Sequence, residues 1–369
     1  MPTIALDATY AVDAQPSGIA VYSRGLIEAL AEIETAHRFL LCYRLSRFKR
    51  RKDFAQLARS SRPGGPSFSL RAVQEFVTVW LPWQAEVFHS LAQRPPAFRF
   101  KKEIVTVHDL FPVTGRDYST PEFQRKFGAL LREAASRAAR IITPSRYTAD
   151  QLVTHLGVPG EKIRVIPEGV ARPSTVMDRE ERLALRERLV GPRNVMVLNV
   201  GVLQTRKNTI NALRALEHLP EPYRLVLAGG DGHGSEAIHE FIRREPVGAR
   251  SRVLGHVSAT ELPALFQAAD VLLFPSLEEG FGLPVLEAMA QGLPVVASSV
   301  SSLPEVGGSA ALYVDPQDPR DIAEKVRRAV EDPQLRSQMI DQGFARAREF
   351  SWQRTAEATL RVYEEVLAL

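Results

Sequence analysis

The chain has 369 residues, 45% of them hydrophobic and 24% charged, with a formal net charge of +4. That length is too great for one ordinary core and reads as two domains, and the composition is globular rather than disordered or fibrous. The sequence has no uncharged apolar run of about 18 residues, a start (MPTIALDATY) without the plan of a secretion signal, and a single cysteine, Cys42. These features argue against a transmembrane helix, a secreted disulfide scaffold and a multi-cysteine zinc site. The expectation is a cytosolic enzyme.

The charge is uneven. Residues 1–170 hold 24 Lys and Arg against 16 Asp and Glu, and the remainder holds 23 against 27. Much of the excess lies in RLSRFKRRKDFAQLARSSR (44–62), with eight cations and one acid. This stretch reads as a solvated surface helix or loop, or as a peripheral contact with anionic lipid head groups or a diphosphate-linked lipid. Nucleic acid is not expected, because no groove-reading or base-stacking motif accompanies the charge.

Short apolar runs alternate with helix-length segments, the pattern of parallel α/β layers. In chain order the first half offers a strand at 3–9, a helix at 18–33, strands at 39–45, 86–90 and 103–109, a long helix at 121–140, a strand at 141–145, a helix at 147–157 and a strand at 162–170. A stretch rich in proline and charge, 171–192, separates the halves. The rhythm restarts with NVMVLNVG (194–201), YRLVLAGG (223–230), SRVLGHV (251–257), ADVLLFPS (269–276), LPVVAS and AALYVD (310–315), and ends in a helical segment at 350–367. Neither half has G-x-G-x-x-G after its first strand, so the dinucleotide fingerprint is absent.

The most informative stretch is EEGFGLPVLEAMAQGLPVVAS (278–298). Pro284 suits the first turn of a helix, and Gly292 and Pro294 suit its end. The turn Phe281-Gly282-Leu283 then brings backbone amides and a helix N-terminus to where an anion such as a diphosphate can bind. Glu279 before the helix and Glu287 inside it can each accept hydrogen bonds from neighbouring sugar hydroxyls. The ligand that carries both anion and hydroxyl pairs is a sugar–diphosphate–nucleoside. Taken singly, Glu279 also reads as a loop acid and Glu287 as a partner of the helix dipole.

EGFGLPVLEA resembles the Glu-x7-Glu motif of retaining glycosyltransferases of family 4. The resemblance spans nearly the whole chain. SGIAVYSRGLIEAL is similar to the family's first glycine loop and helix, TVHDLFP (106–112) to its His-Asp element, NVGVLQTRKN (199–208) to its diphosphate loop, and FSWQRTAEATLRVYEEV to its terminal helix. It implies the GT-B fold: two Rossmann-like α/β domains facing a cleft, with a C-terminal helix crossing back. The expected boundaries are 1–172 plus 351–369 for an acceptor-binding domain and 190–350 for a nucleotide-sugar domain.

The same resemblance implies roles. Arg206 and Lys207 would neutralise the diphosphate as the nucleoside diphosphate leaves, without a metal or other cofactor, since no Asp-x-Asp pair is present. His108 would bond the transferred sugar, Gly18 and Gly201 would let backbone approach the diphosphate, and Glu279 and Glu287 would hold sugar and ribose hydroxyls. Gly229 and Gly230 read as turn residues after a strand, or as lining of the base pocket. Two departures stand out: Val202 where relatives often carry Arg, and Glu168-Gly169-Val170-Ala171 where they often read Asn-Gly-Val-Asp. The expected partners are a nucleotide-sugar donor, GDP-mannose first, and a glycan or polyprenyl-diphosphate-linked glycan acceptor, as in bacterial surface-polysaccharide synthesis. The alternatives are a UDP- or dTDP-sugar transferase, an epimerase or phosphorylase of the same plan, and a non-catalytic sugar-nucleotide-binding protein.

Overall fold

The computed structural model describes residues 1–13, 17–57, 66–73, 81–96, 98–114, 117–171, 175–244 and 246–369. The chain divides into two compact units. The first comprises Met1–Gly115, Pro121–Gly169 and Phe350–Leu369, the second Arg116–Thr120 and Val170–Glu349.

The first unit is built on strands β1 (Thr3–Asp7), β2 (Arg38–Arg44), β3 (Ser67–Val73), β4 (Val87–Ser90), β5 (Lys102–Thr106), β6 (Arg140–Thr143) and β7 (Ile163–Val165), in the order β3-β2-β1-β4-β5-β6-β7. Among the described residues all of its strand pairings are parallel. Its central strands are continuous apolar runs because both faces are covered, as parallel sheets require. One face packs on the helices Gly18–Ala31 and Trp352–Ala368, with Ile4, Leu6, Phe39, Leu26, Tyr363 and Val366 in a common core. Gly25 has no side chain because Trp352 occupies the space: a Cβ there would lie 2.3 Å from the indole.

Buried polar contacts tie the terminal helix to the same unit. Tyr22 Oη and Thr106 Oγ1 lie 3.0 Å apart, and His89 bridges Thr106 Oγ1 through Nε2 and Tyr363 Oη through Nδ1, each at 2.8 Å. Burial, with a contribution from His108, lowers the His89 pKa to about 3, so its ring is neutral and has one donor and one acceptor for those hydroxyls. Glu365 accepts from Arg140 and Arg164 at 2.7 and 2.9 Å. Thr355 Oγ1 donates to Pro167 O at 2.8 Å, and a Cβ on Gly169 would stand 2.2 Å from Trp352 N. The returning segment therefore runs directly along 167–169.

The second unit holds β8 (Val195–Val200), β9 (Tyr223–Ala228), β10 (Ser251–Gly255), β11 (Val271–Phe274), β12 (Val295–Ser298) and β13 (Ala311–Val314), in the order β10-β9-β8-β11-β12-β13. Counted from its own first strand this is the 3-2-1-4-5-6 order of a Rossmann sheet, whose ligand edge is the carboxyl ends of the strands. Helix Pro319–Glu331 buries Ile322, Ala323, Val326 and Ala329, the stripe of a helix packed on that sheet.

The structure adds detail that the sequence reading did not resolve. The basic stretch becomes a 3-10 turn, Leu45–Arg50, and a short helix, Arg51–Leu57, while 58–62 lie outside the described residues. β3, which follows, is an edge strand whose Ser67 and Ser69 are exposed, so it carries no continuous apolar run to find. The separator at 171–192 contains the helix Arg179–Val190, which has no buried residue. It is instead defined by a capping box: Glu181 N donates to Asp178 at 2.8 Å and Asp178 N to Glu181 at 3.1 Å. Helix Pro333–Ala347 was also not anticipated. Among the described residues no helix is long and apolar enough to cross a membrane.

Candidate functional site

In the second unit the chain leaves β8 at Gly201, with φ at 137°, a conformation open to glycine. Gly229, just past β9, allows the contact behind it: a Cβ there would fall 1.8 Å from Gly201 O. Gly229 is thus a packing requirement, whereas a Cβ on Gly230 would meet nothing. The 3-10 turn Thr205–Lys207 follows, then Asn208 in the left-handed region (φ 58°) at the head of helix Thr209–His218. Asn208 Nδ2 donates to Pro275 O (2.9 Å) and Pro316 O (2.7 Å), pinning the turn to the chain beyond β11 and β13.

That turn delivers two cations to one carboxylate. Lys207 Nζ stands 2.6 Å from Glu279 Oε1, and Arg206 Nη1 3.1 Å from Glu279 Oε2. The Lys207 arm passes over Gly201, where a Cβ would lie 3.3 Å from Cε, and its ammonium sits 4.9 Å from the centre of the Phe274 ring. Arg206 also donates to Glu278 O at 2.6 Å and accepts from Leu277 N at 2.9 Å. Burial opposes ionisation of Glu279, but Lys207 and Arg206 outweigh it and hold its pKa at about 2. Glu279 is therefore a fixed anion, and a carboxylate has lone pairs beyond those two contacts.

The rest of the motif continues from it. Glu279 N donates to Ser301 Oγ, and the single Ser302 hydroxyl hydrogen is shared between Glu279 O and Phe281 O. Gly282 has φ 108°, and a Cβ there would meet Leu303 at 2.6 Å. Helix Leu283–Ala290 then begins, with Pro284 in its first turn and Glu287 half-buried on its second. Phe281 and Leu283 are buried. The structure thus brings Gly201, Arg206, Lys207, Glu279, Phe281, Gly282 and Leu283 into one region at the carboxyl edge of the sheet, with Glu287 on the adjoining helix.

His108 and Gly18 belong to the first unit. Gly18 is exposed at the start of helix Gly18–Ala31, and a Cβ there would meet nothing, so packing does not demand glycine. His108, just past β5, is buried, and both ring nitrogens are engaged: Nδ1 lies 3.0 Å from Glu168 Oε1 and Nε2 2.9 Å from Leu91 O. Its main-chain N–H donates to Gln93 Oε1 at 2.6 Å, Asp109 N donates to the same oxygen at 3.1 Å, and the Tyr22 ring meets it edge-on at 4.7 Å. Burial pulls the His108 pKa down, but Glu168, the Leu91 carbonyl and Asp109 prevail, and the pKa is raised. Acceptors opposite both ring nitrogens favour the protonated form, in the same direction as the shift. The expected bond from His108 to a sugar competes here with Glu168 and Leu91.

Comparison with known proteins fits this geometry. A family model described as Glycosyltransferase Family 4 matches residues 16–172, and one described as Glycosyl transferases group 1 matches 184–346. The chain is 31% identical over 272 residues to O-antigen chain mannosyltransferase B of Escherichia coli, covering 72% of this chain and 71% of that protein. The chain is a family 4 glycosyltransferase. It is also 33% identical over 272 residues to D-inositol 3-phosphate glycosyltransferase of Xylanimonas cellulosilytica, covering 70% and 65% of the two chains. The crystal structure of Anabaena Alr3699/HepE in complex with UDP and glucose matches over 100% of both chains with a TM-score of 0.77 at 19% identity. That likeness places the two parallel sheets in the GT-B fold.

Sequence reasoning about this glycosyltransferase missed Gln93, Ser301, Ser302 and the role of Glu168. All four make their contacts through backbone or a neighbouring side chain, and Glu168 was legible only as a departure from the Asn that the resemblance implies.

The His108–Glu168 pair can be tested directly. In Glu168→Gln the burial stays and the attraction goes, so the His108 pKa should fall, as read by histidine NMR titration. A raised folded pKa contributes stability that is full below the ordinary value of 6.5 and is lost as pH rises through the folded value. The wild-type protein should therefore lose that increment with rising pH, and Glu168→Gln should not. An unchanged His108 titration would show that Glu168 does not hold its proton.

Proposed function

We propose that this glycosyltransferase moves a hexose, with retention of configuration, from a nucleoside-diphosphate sugar to a hydroxyl of a glycan or lipid-linked glycan, with GDP-mannose as the leading donor. The observation that carries the reading is the buried Glu279 carboxylate clasped by Arg206 and Lys207 at the carboxyl edge of a Rossmann sheet. Two fixed cations suit a diphosphate whose negative charge grows as the glycosidic bond breaks, and they need no metal to do so. The anion between them keeps both cations in place before the ligand arrives and offers its remaining lone pairs to sugar hydroxyls. Glu287, one helical turn further on, suits the ribose. The acceptor hydroxyl would then attack from the face the diphosphate leaves, by an oxocarbenium-like path, its proton passing to an oxygen of the departing diphosphate. Mannose is favoured by the name of the E. coli relative. The Anabaena structure with UDP keeps a UDP-sugar as the second candidate.

A thermal-shift panel of GDP, UDP, dTDP and ADP tests the donor, because a ligand of the folded state raises the melting point by mass action. GDP should give the largest shift, and a larger shift with UDP would displace GDP-mannose.

Kinetics test the roles. Lys207→Ala should lower kcat by roughly 10²–10³, the scale of losing one preorganised charge stabiliser. Glu287→Ala removes contacts that do not change during transfer, so it should raise the donor KM about 10–200-fold with kcat altered much less. Both variants must keep near-wild-type melting points. Turnover abolished at saturating donor in Glu287→Ala, with only KM changed in Lys207→Ala, would reverse the assignment.

The acceptor side includes peripheral contact with an anionic membrane through the basic segment. Phe54 and Leu57 anchor it in the core, Arg47 pairs with Asp13, and Arg50 bonds Val12 O. Lys49, Arg51, Lys52 and Phe48 remain exposed. Each exposed cation near such a surface contributes about 1 kcal/mol, and salt screens it. Co-sedimentation with anionic vesicles at low salt should be lost when Lys49, Arg51 and Lys52 become Ser. Sedimentation indifferent to those changes would leave the segment as solvated surface.

A further inference from the structure

Glu279 is held at its main chain as firmly as at its carboxylate. Its N–H donates to Ser301 Oγ at 3.2 Å, and its carbonyl accepts from Ser302 Oγ at 2.9 Å. The same Ser302 hydroxyl lies 2.8 Å from Phe281 O, so one buried group spans the turn from Glu279 to Phe281. Ser301 makes its contact from the left-handed region, with φ at 61°. Glycine occupies that conformation at no steric cost and serine does not. A side chain in a conformation that favours glycine needs a reason, and the only hydrogen bond the described residues show for this one is to Glu279.

We propose that Ser301 and Ser302 are positioning residues that set how tightly the sugar moiety of the donor is held, acting through Glu279. The inference rests on the reading of Glu279 as the ligand of sugar hydroxyls. Arg206 and Lys207 fix the carboxylate end, and the two serines fix the peptides on either side of the Cα. With three points tied, the oxygens of Glu279 keep one orientation. With the main-chain ties gone, the carboxylate still follows its cations, but its angle to the sugar is no longer defined.

Ser301→Gly separates this role from a structural one, because it removes the hydroxyl while relieving the left-handed backbone. Isothermal titration with GDP-mannose and GDP, and in parallel with UDP-glucose and UDP, reads the two parts of the ligand. For the pair that binds, the sugar nucleotide should weaken about five- to tenfold, the scale of one hydrogen bond. The nucleoside diphosphate, which meets the cations, should stay within about twofold, and the melting point should hold or rise. Ser301→Asn should restore most of the sugar-nucleotide affinity, since Asn tolerates the left-handed region and offers an amide oxygen to the same N–H. Equal weakening of both ligands, a lowered melting point, or unchanged sugar-nucleotide binding in Ser301→Gly would each overturn the proposal. The underlying reading of Glu279 fails separately if Glu279→Ala leaves the affinity ratio of sugar nucleotide to nucleoside diphosphate unchanged, whatever Ser301→Gly does.

Discussion

The second unit is organised around one constraint: a carboxylate taken out of water between an arginine and a lysine. Removing one partner of such a buried cluster leaves an uncompensated charge and typically costs about 3–5 kcal/mol. The loop after β8 must therefore meet the loop after β11, and its composition follows from that obligation. Gly201 leaves room for the Lys207 arm, and Gly229 leaves room for Gly201. Asn208 turns the chain into its helix while bonding the carbonyls of Pro275 and Pro316. None of these residues has to touch a ligand to be necessary, and each would be misread if judged only by whether it does.

The first unit shows how far surroundings decide the state of a side chain. His89 and His108 are both buried in it. His89 faces the hydroxyls of Thr106 and Tyr363, and its pKa drops to about 3. His108 faces the Glu168 carboxylate and a carbonyl, and its pKa rises. Burial acts on both in the same direction, so the difference comes from what sits opposite the ring nitrogens. Glu168, at the position where the resemblance implies Asn, is thus the partner that raises the His108 pKa.

The parts of this glycosyltransferase that could be read from the sequence are those where chemistry and backbone pattern coincide. Apolar runs such as IALD and FLLCY mark strands covered on both faces, and Gly282 and Pro284 mark a turn into a helix. β3 and the helix Arg179–Val190 escaped because neither buries a continuous apolar stripe. One is an edge strand with serines outward and the other is held by its cap. In the site, Arg206, Lys207 and Glu279 were visible as residues, but their mutual pairing was not, because a carboxylate assigned to hydroxyls gives no hint that it already serves two cations. Ser301 left no pattern at all. Its significance lies in a φ angle, and a serine in the left-handed region reads in sequence like any other loop serine.

The electrostatics of the cluster then bear on the departure at position 202. The family resemblance implies an arginine there, and this chain has a valine that is 43% exposed. With two cations and one carboxylate the cluster has a net charge of about +1, less than a nucleoside diphosphate requires. Helix N-termini supply part of the balance, each worth roughly half a positive charge over its first turn, and the helices at Thr209 and Leu283 both begin beside the cluster. Such partial charges are set by the backbone, so in the proposed reaction the charge that grows on a leaving group is left to the two side-chain cations held by Glu279. If the loop serves a leaving diphosphate as proposed, no third cation at 202 shares that work with Arg206 and Lys207, and the Lys207 arm is the one that passes over a glycine.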